Sequence, residues 1–371
     1  MFLNSALTAA TGRTLLGSTS TKLRLATAAA PALTSSYNTS RHHKHTSPRV
    51  SCLSSMSNNR TTTTTRLSKL SSHFATMSSQ TNNEVFKLEN VFSVKGRVAL
   101  VTGGGTGIGL MATQALAVNG AKVYITGREK AKLDRVVETH GKGIAGEIIP
   151  IVSDITDKES IKKLVSELES KEKCLCILIN NAGISGHTQE TEASDAITLK
   201  KNLFDDPEQT FENWSDVYKT NAASIFFLST ALLPLLSKAT EIHHGYSGTI
   251  INTTSISGSV KSAQHHFAYN ASKAAALQVT KLLSSEIAKN EIKIRVNAIS
   301  PGVFPSEMTA DDSGDNQKSH IEKEKFEGKV PANRPGKDED MAGAMLFAAT
   351  NQYLNGVEIV VDGGYLIKEG K

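Results

Sequence analysis

The segment Thr102-Gly-Gly-Gly-Thr-Gly-Ile-Gly109 stands between the apolar run Val98-Ala-Leu-Val101 and a helical pattern opening at Leu110-Met-Ala-Thr-Gln-Ala-Leu. An apolar strand, a glycine turn and a helix in that order restrict the chain to folds in which a strand delivers a helix N-terminus to a ligand. Gly103, Gly107 and Gly109 leave the backbone bare enough for a pyrophosphate to approach. The helix behind them offers unpaired N–H groups and the positive end of its dipole. The pattern predicts a dinucleotide site.

Beyond Gly109 short apolar runs alternate with helical stretches. Strands are predicted at 98–101, 122–126, 147–152, 175–179, 248–252, 294–299 and 357–361, with helices between them such as 129–139 and 158–170, whose outer faces carry Lys and Glu. Seven strands in this alternation indicate an α/β fold, a single Rossmann-like doubly wound parallel sheet. Such a sheet binds ligands beyond the carboxyl ends of its strands, where every motif described below falls. Two segments break the spacing: the polar loop 184–212, and 310–330, rich in Lys, Glu and Asp.

Tyr269-Asn-Ala-Ser-Lys273 places a phenol and an ammonium one helical turn apart, and Ser255 lies in Ile251-Asn-Thr-Thr-Ser255-Ile-Ser-Gly258 at a strand end. The three form a proton-transfer apparatus for a carbonyl or an alcohol. A free phenol with pKa ~10 needs a nearby cation to give up its proton near neutrality. Thr253 and Thr254 compete with Ser255 for the hydroxyl role. His265 and His266 have no carboxylate motif to orient them, and they read as lining a pocket mouth or facing solvent. After the second strand comes Thr126-Gly127-Arg128, with no carboxylate until Glu129. An acid there would bind a ribose diol and repel a 2′-phosphate; a guanidinium instead suits the phosphate, so NADPH is expected, with NAD as the alternative. The competing reading of Arg128 is the start of a solvated helix. Asp154, at the end of the third strand, either accepts a proton from an adenine amine or caps the helix beginning near Lys158.

Taken in order, Thr102 to Gly109, Asn180-Asn-Ala-Gly183, Ser255, Tyr269 with Lys273, and Ser300-Pro-Gly302 resemble the short-chain dehydrogenase/reductase family over residues 92–366. Pro301-Gly-Val-Phe-Pro-Ser-Glu-Met-Thr309 is similar to the rhamnolipid type of 3-oxoacyl-[acyl-carrier-protein] reductase and its fungal relatives. The resemblance implies cofactor contacts from Thr102, Gly103, Gly107, Ile108, Gly109 and Arg128. It implies adenine contact from Asp154, adenosine-ribose contact from Asn180, Ala182 and Gly183, and nicotinamide contact from Pro301, Gly302, Val303 and Ser306. Ser306 stands where relatives commonly have Thr, and the glycine turn lacks the extra basic residue of many NADP-using relatives. Catalysis falls to Asn221, Ser255, Tyr269 and Lys273: Tyr269 as general acid, Ser255 on the substrate oxygen, Lys273 tuning the phenol and binding the nicotinamide ribose, Asn221 holding a relay water. The expected activity is NADPH-dependent reduction of a ketone, including a 3-oxoacyl thioester. The alternatives are an NAD(P)-dependent dehydrogenase of a sugar acid, polyol or other secondary alcohol, and a non-catalytic dinucleotide-binding scaffold. A substrate lid at 310–330 and a homotetramer packed through the carboxyl end, Tyr353 to Leu366, complete what is implied.

Composition divides the chain. The first 83 residues contain no Asp or Glu and nine of the 41 basic residues; the remainder, 32 basic against 36 acidic, is net negative. The overall charge of +5 therefore belongs to the leader and is no argument for nucleic acid. An Arg-bearing, Ser-rich, acid-free leader fits a mitochondrial transit peptide ahead of a domain at 84–371. A start at Met56 or Met77 would instead give a cytoplasmic enzyme. No run of 18 apolar residues is present, so no membrane span is expected. Cys52, Cys174 and Cys176 make neither a disulfide framework nor a zinc pattern, no metal is expected, and the last two read as plain strand residues. Fused to a fluorescent reporter, residues 1–83 should direct it into mitochondria; a diffuse cytosolic signal refutes the targeting role.

Overall fold

The computed structural model describes residues 83–310, 313–322, 324 and 328–370. All of the expected leader except Asn83 lies outside the described residues. Seven strands, β1 (Val98–Thr102), β2 (Lys122–Gly127), β3 (Glu147–Val152), β4 (Ile177–Asn180), β5 (Gly248–Thr253), β6 (Ile294–Pro301) and β7 (Glu358–Val361), pair in parallel in the order β3-β2-β1-β4-β5-β6-β7. The order reverses direction between β1 and β4, which opens a crevice above their carboxyl ends.

Strand parity builds two cores from one sheet. Ala99, Val101, Val123, Ile125, Ile177 and Ile179 face one side, where they meet α1 (Gly107–Val118), α2 (Lys130–His140) and, through Met341 and Met345, a helix at Asp338–Thr350. Leu100, Tyr124, Leu178, Ile250 and Val296 face the other side and meet α3 (Lys158–Lys171) and the helices that follow it. Both faces are covered, so the strands read as continuous apolar runs rather than as alternating ones. Each fully buried Leu or Ile contributes about 1.5–3 kcal/mol.

The helices form for local reasons as well. In α3, Ile161, Leu164 and Leu168 recur every three or four residues on the buried face, and the Asp157 side chain accepts the Ser160 N–H at the N-terminus. That observation corrects one alternative reading: Asp157, not Asp154, caps this helix. The polar segment 184–212 holds a helix of its own, α4 (Ala196–Leu203), capped by Asp195, which accepts from the N–H groups of Ile197 and Thr198. Next come α5 (Phe211–Tyr218), a single π-helical turn at Lys219–Ala223, α6 (Ser224–Ala231) and α7 (Leu233–Ile242). The second half contains α8 (Phe267–Lys289), α9 (Glu307–Ala310) and α10 (Asp338–Thr350). Within the expected lid, residues 311, 312, 323 and 325–327 lie outside the described residues. Among the described residues no single helix is long and apolar enough to cross a membrane.

Cys174 and Cys176 precede β4 rather than lying in it, and both side chains turn to the same side. Their sulfurs are 3.8 Å apart, with Cys174 Sγ 3.9 Å from His243 Nε2. This group sits at the start of β4, the end of the sheet remote from the crevice.

Candidate active site

At the carboxyl ends of β1, β2, β4, β5 and β6 lies a crevice of about 540 Å³, within the range of small-molecule and cofactor sites. Its walls bring together Gly103, Gly107, Ile108, Arg128, Asp154, Ala182, Gly183, Ser255, Tyr269, Lys273, Pro301, Gly302 and Ser306. Residues spread over two hundred positions meet because parallel strands all deliver their ends to one edge.

The glycine turn owes its shape to two demands. Gly107 has φ +52°, and a Cβ there would lie 2.7 Å from the Ser306 side chain. A Cβ on Gly109 would collide with the Gly103 carbonyl oxygen, so α1 can start this close to β1 only without a side chain there. Thr102 and Gly109 do not line the crevice; they hold its floor together. Thr102 Oγ1 accepts from the N–H groups of Asn181 (2.9 Å) and Ala182 (3.0 Å), tying the end of β1 to the chain leaving β4.

Strand parity corrects the placement of Asn180. It is the last residue of β4, paired in register with Asn252, and its Nδ2 donates to Asn252 Oδ1 (2.8 Å) and Ser229 Oγ (3.0 Å) beneath the crevice. Asn181, one residue later, lines the crevice instead, its Nδ2 donating to the carbonyls of Thr102 and Gly103. Val303 is likewise absent from the wall, and its carbonyl accepts from Gly336 N–H (2.9 Å). Asp154 is in the wall. Burial works to raise its carboxyl pKa, but hydrogen bonds from the Thr156 hydroxyl and N–H, with Arg128 and Lys219 nearby, outweigh that and hold it below the usual value. It is therefore a ready acceptor.

Tyr269 and Lys273 project from the first two turns of α8, and Ser255 lies two residues beyond the end of β5. Burial raises the Tyr269 phenol above its ordinary pKa, and a hydrogen bond with Ser255 partly offsets the rise. That pairing separates Ser255 from its rivals. Thr254 Oγ1 donates to the Ile299 carbonyl (2.9 Å) and pairs with Ser300 Oγ, whereas the Thr253 hydroxyl is buried without a hydrogen-bond partner. The Lys273 ammonium donates to the Thr253 carbonyl (3.0 Å) and lies 5.6 Å from the centre of the Tyr269 ring. Burial alone pushes its pKa down to about 8.

Asn221 belongs to the π-helical turn, a local irregularity often found at functional sites. Its Oδ1 accepts Ile184 N–H (2.8 Å), and its Nδ2 donates to the Ile184 carbonyl (2.8 Å) and Ser272 Oγ (2.9 Å). It stands beside the crevice wall: a Cβ on Gly183 would lie 3.0 Å from Asn221 Oδ1 and 3.6 Å from Lys273 Nζ. His265 is exposed, with Nδ1 2.9 Å from the Gln189 carbonyl, while His266 is half-buried and set edge-on to Tyr269. Neither lines the crevice. Burial lowers the His266 pKa.

With the geometry in place, comparison with known proteins defines the class. Residues 97–317 match the family model described as short chain dehydrogenase. The chain is 37% identical over 284 residues to the short-chain dehydrogenase/reductase PhomF of Diaporthe leptostromiformis, covering 75% of this chain and 94% of that protein. It is 32% identical over 278 residues to the rhamnolipids biosynthesis 3-oxoacyl-[acyl-carrier-protein] reductase of Pseudomonas aeruginosa, covering 74% and 98%. The solved Pseudomonas aeruginosa RhlG/NADP active-site complex superimposes with a TM-score of 0.60 at 31% identity, over 74% of this chain and 98% of that one. The chain therefore belongs to the short-chain dehydrogenase/reductase family, NAD(P)-dependent enzymes acting on CH–OH or carbonyl groups.

The residues present fit such a cofactor: a side-chain-free turn at Gly107, an anchored acceptor at Asp154 and a cation at Arg128 line one crevice. Lys132, Asp216, Lys219, Thr220 and Glu307 line it too without a motif of their own. Only their helical spacing from Arg128 or Asn221, or adjacency to Ser306, could have signalled them.

The lowered Lys273 pKa has a signed consequence. Between about 8 and 10.5 the unfolded chain holds a proton that the folded one has lost, so in this window the residue makes stability rise with pH. Below about 8 the folded protein bears the full cost of a buried ammonium. Lys273→Met should accordingly stabilise the cofactor-free protein near pH 7, by about 1–3 kcal/mol after loss of the bond to Thr253. The gain should shrink as pH approaches 10.5, and thermal melts at a series of pH values read it. A variant uniformly less stable than wild type shows that the ammonium is not under strain.

Proposed function

We propose that this chain is an NADPH-dependent reductase that converts a ketone, with a 3-oxoacyl thioester the leading substrate class, into a secondary alcohol. One observation carries the reading: Ser255, Tyr269 and Lys273 share a crevice whose far end presents Arg128 where an acid would select NAD. The Pseudomonas aeruginosa match supports it, being named as a 3-oxoacyl-[acyl-carrier-protein] reductase in sequence and solved as an NADP complex.

When bound, the cofactor supplies the hydride, and the chain's own groups manage position and proton. Ser255, whose hydroxyl acts to lower the Tyr269 pKa, fixes the substrate carbonyl oxygen against the phenol. Tyr269 gives its proton to that oxygen as negative charge develops. The Lys273 ammonium, 5.6 Å from the ring, stabilises the phenolate left behind. Asn221, held by both backbone groups of Ile184, stands where it can orient a water that returns a proton toward Lys273.

Ile184, at the start of the inserted loop, and Glu307, Met308 and Thr309 of α9 line the crevice as well. Gln189, buried, accepts Phe267 N–H at the start of α8 (3.1 Å) and so joins the inserted loop to the helix that bears Tyr269. In the same reading the chain associates as a homotetramer. Phe211, Trp214, Phe226 and Phe227 are exposed on α5 and α6, and Val360 is exposed on the edge strand β7, leaving apolar surface for such contacts; light scattering reads that state directly. The mitochondrial destination of the leader belongs to the same proposal.

A panel of ketones, 3-oxoacyl thioesters and, in reverse, polyols and sugar acids should show NADPH consumption with the oxo compounds. For a substrate so found, Tyr269→Phe keeps the ring and removes the transferable proton, and kcat should fall at least ~10²-fold with cofactor affinity retained. Near-normal turnover in that variant would overturn the assignment.

A further inference from the structure

Arg128 has a companion that the glycine turn does not provide. Lys132, four residues later on the first turn of α2, lines the same crevice as Arg128, Gly105 and Thr106. A Cβ placed on Gly105 would lie 3.9 Å from Lys132 Cβ, so the lysine stem stands directly beside the phosphate-binding turn.

The ammonium of Lys132 is already engaged. Both carboxylate oxygens of Glu307 accept from it, at 3.0 and 3.1 Å, and Glu129 lies at 3.4 Å. Glu307 opens α9 and directly follows Ser306, so this ion pair clasps the two lips of the crevice, joining α2 to α9. The two side chains are 35% and 32% exposed. A pair this open to water contributes little net stability and exchanges partners readily. A phosphate brought to Arg128 carries more charge than a carboxylate and more acceptor oxygens, and would compete for the same ammonium. Glu307, left facing that phosphate, would be repelled.

We propose that Lys132 is the second cation of a 2′-phosphate subsite, with Glu307 its resident counter-ion. The 2′-phosphate of a nucleotide takes the ammonium from Glu307 and releases α9 from α2, whereas a nucleotide without it leaves the clasp closed. The inference rests on the NADPH reading above and extends it to residues that no motif marks.

Calorimetric titration of the full chain with 2′,5′-ADP and with 5′-AMP tests it without turnover. Wild type should favour 2′,5′-ADP. Lys132→Met should weaken 2′,5′-ADP about tenfold while changing 5′-AMP less than about twofold, and Lys132→Arg should restore the preference. Glu307→Gln, which removes the competing carboxylate, should tighten 2′,5′-ADP and leave 5′-AMP unchanged. A wild type that prefers 2′,5′-ADP, with Lys132→Met weakening both ligands equally or neither, sinks this inference alone. So does a Glu307→Gln that binds 2′,5′-ADP more weakly. A wild type that binds both ligands equally sinks the NADPH reading and this inference together.

Discussion

A single buried ammonium organises the catalytic end of this protein. Lys273 has been taken out of water, and such a charge is tolerated only where neighbouring groups replace its hydration. It finds the Thr253 carbonyl at the end of β5 and the face of Tyr269 one turn back on its own helix. Those partners come from a strand and a long helix, and Gly183 of the loop after β4 leaves room beside the ammonium. The arrangement is costly for an empty protein and useful for one that must stabilise a phenolate beside a dinucleotide. In the proposed reaction a depressed lysine pKa and a raised tyrosine pKa belong to one device.

The scaffold makes that convergence possible. Because β1 and β4 are neighbours while their connecting chains leave toward opposite sides, a gap opens between their ends, and Thr102 pins its floor by accepting from the N–H groups of Asn181 and Ala182. Beneath the floor Asn180, Asn252 and Thr280 form a buried polar chain, with Asn252 Nδ2 donating to Thr280 Oγ1 (2.9 Å), that links β4 and β5 to the catalytic helix. Function is thus carried by the strand ends, and the two apolar cores below hold those ends in register.

Much of this was legible in the residues. The seven strands fall within two residues of the apolar runs that announce them, since runs such as Val98-Ala-Leu-Val101 have no use except between two covered faces. The glycine turn and the Tyr269–Lys273 spacing survive translation into structure because each is local. What sequence missed depended on parity or on distance. Asn180 and Asn181 are chemically identical neighbours, and only the register of β4 against β5 decides which one turns into the crevice. The pair Lys132 and Glu307 is separated by 175 positions, so neither residue announces the other. The loop at 184–212 read as merely polar because its helix is short, and its tie to α8 passes through one glutamine, Gln189.

The central claim is that Lys273 makes Tyr269 a competent acid, and ultraviolet difference titration of that phenol tests it most directly. Spectra of the protein saturated with oxidised cofactor are recorded against pH, and those of Tyr269→Phe are subtracted to isolate the one ring. The account predicts that the isolated phenol ionises at a lower pH with Lys273 in place than in Lys273→Met. The same ionisation pH in both proteins would contradict it, whatever the two turn over.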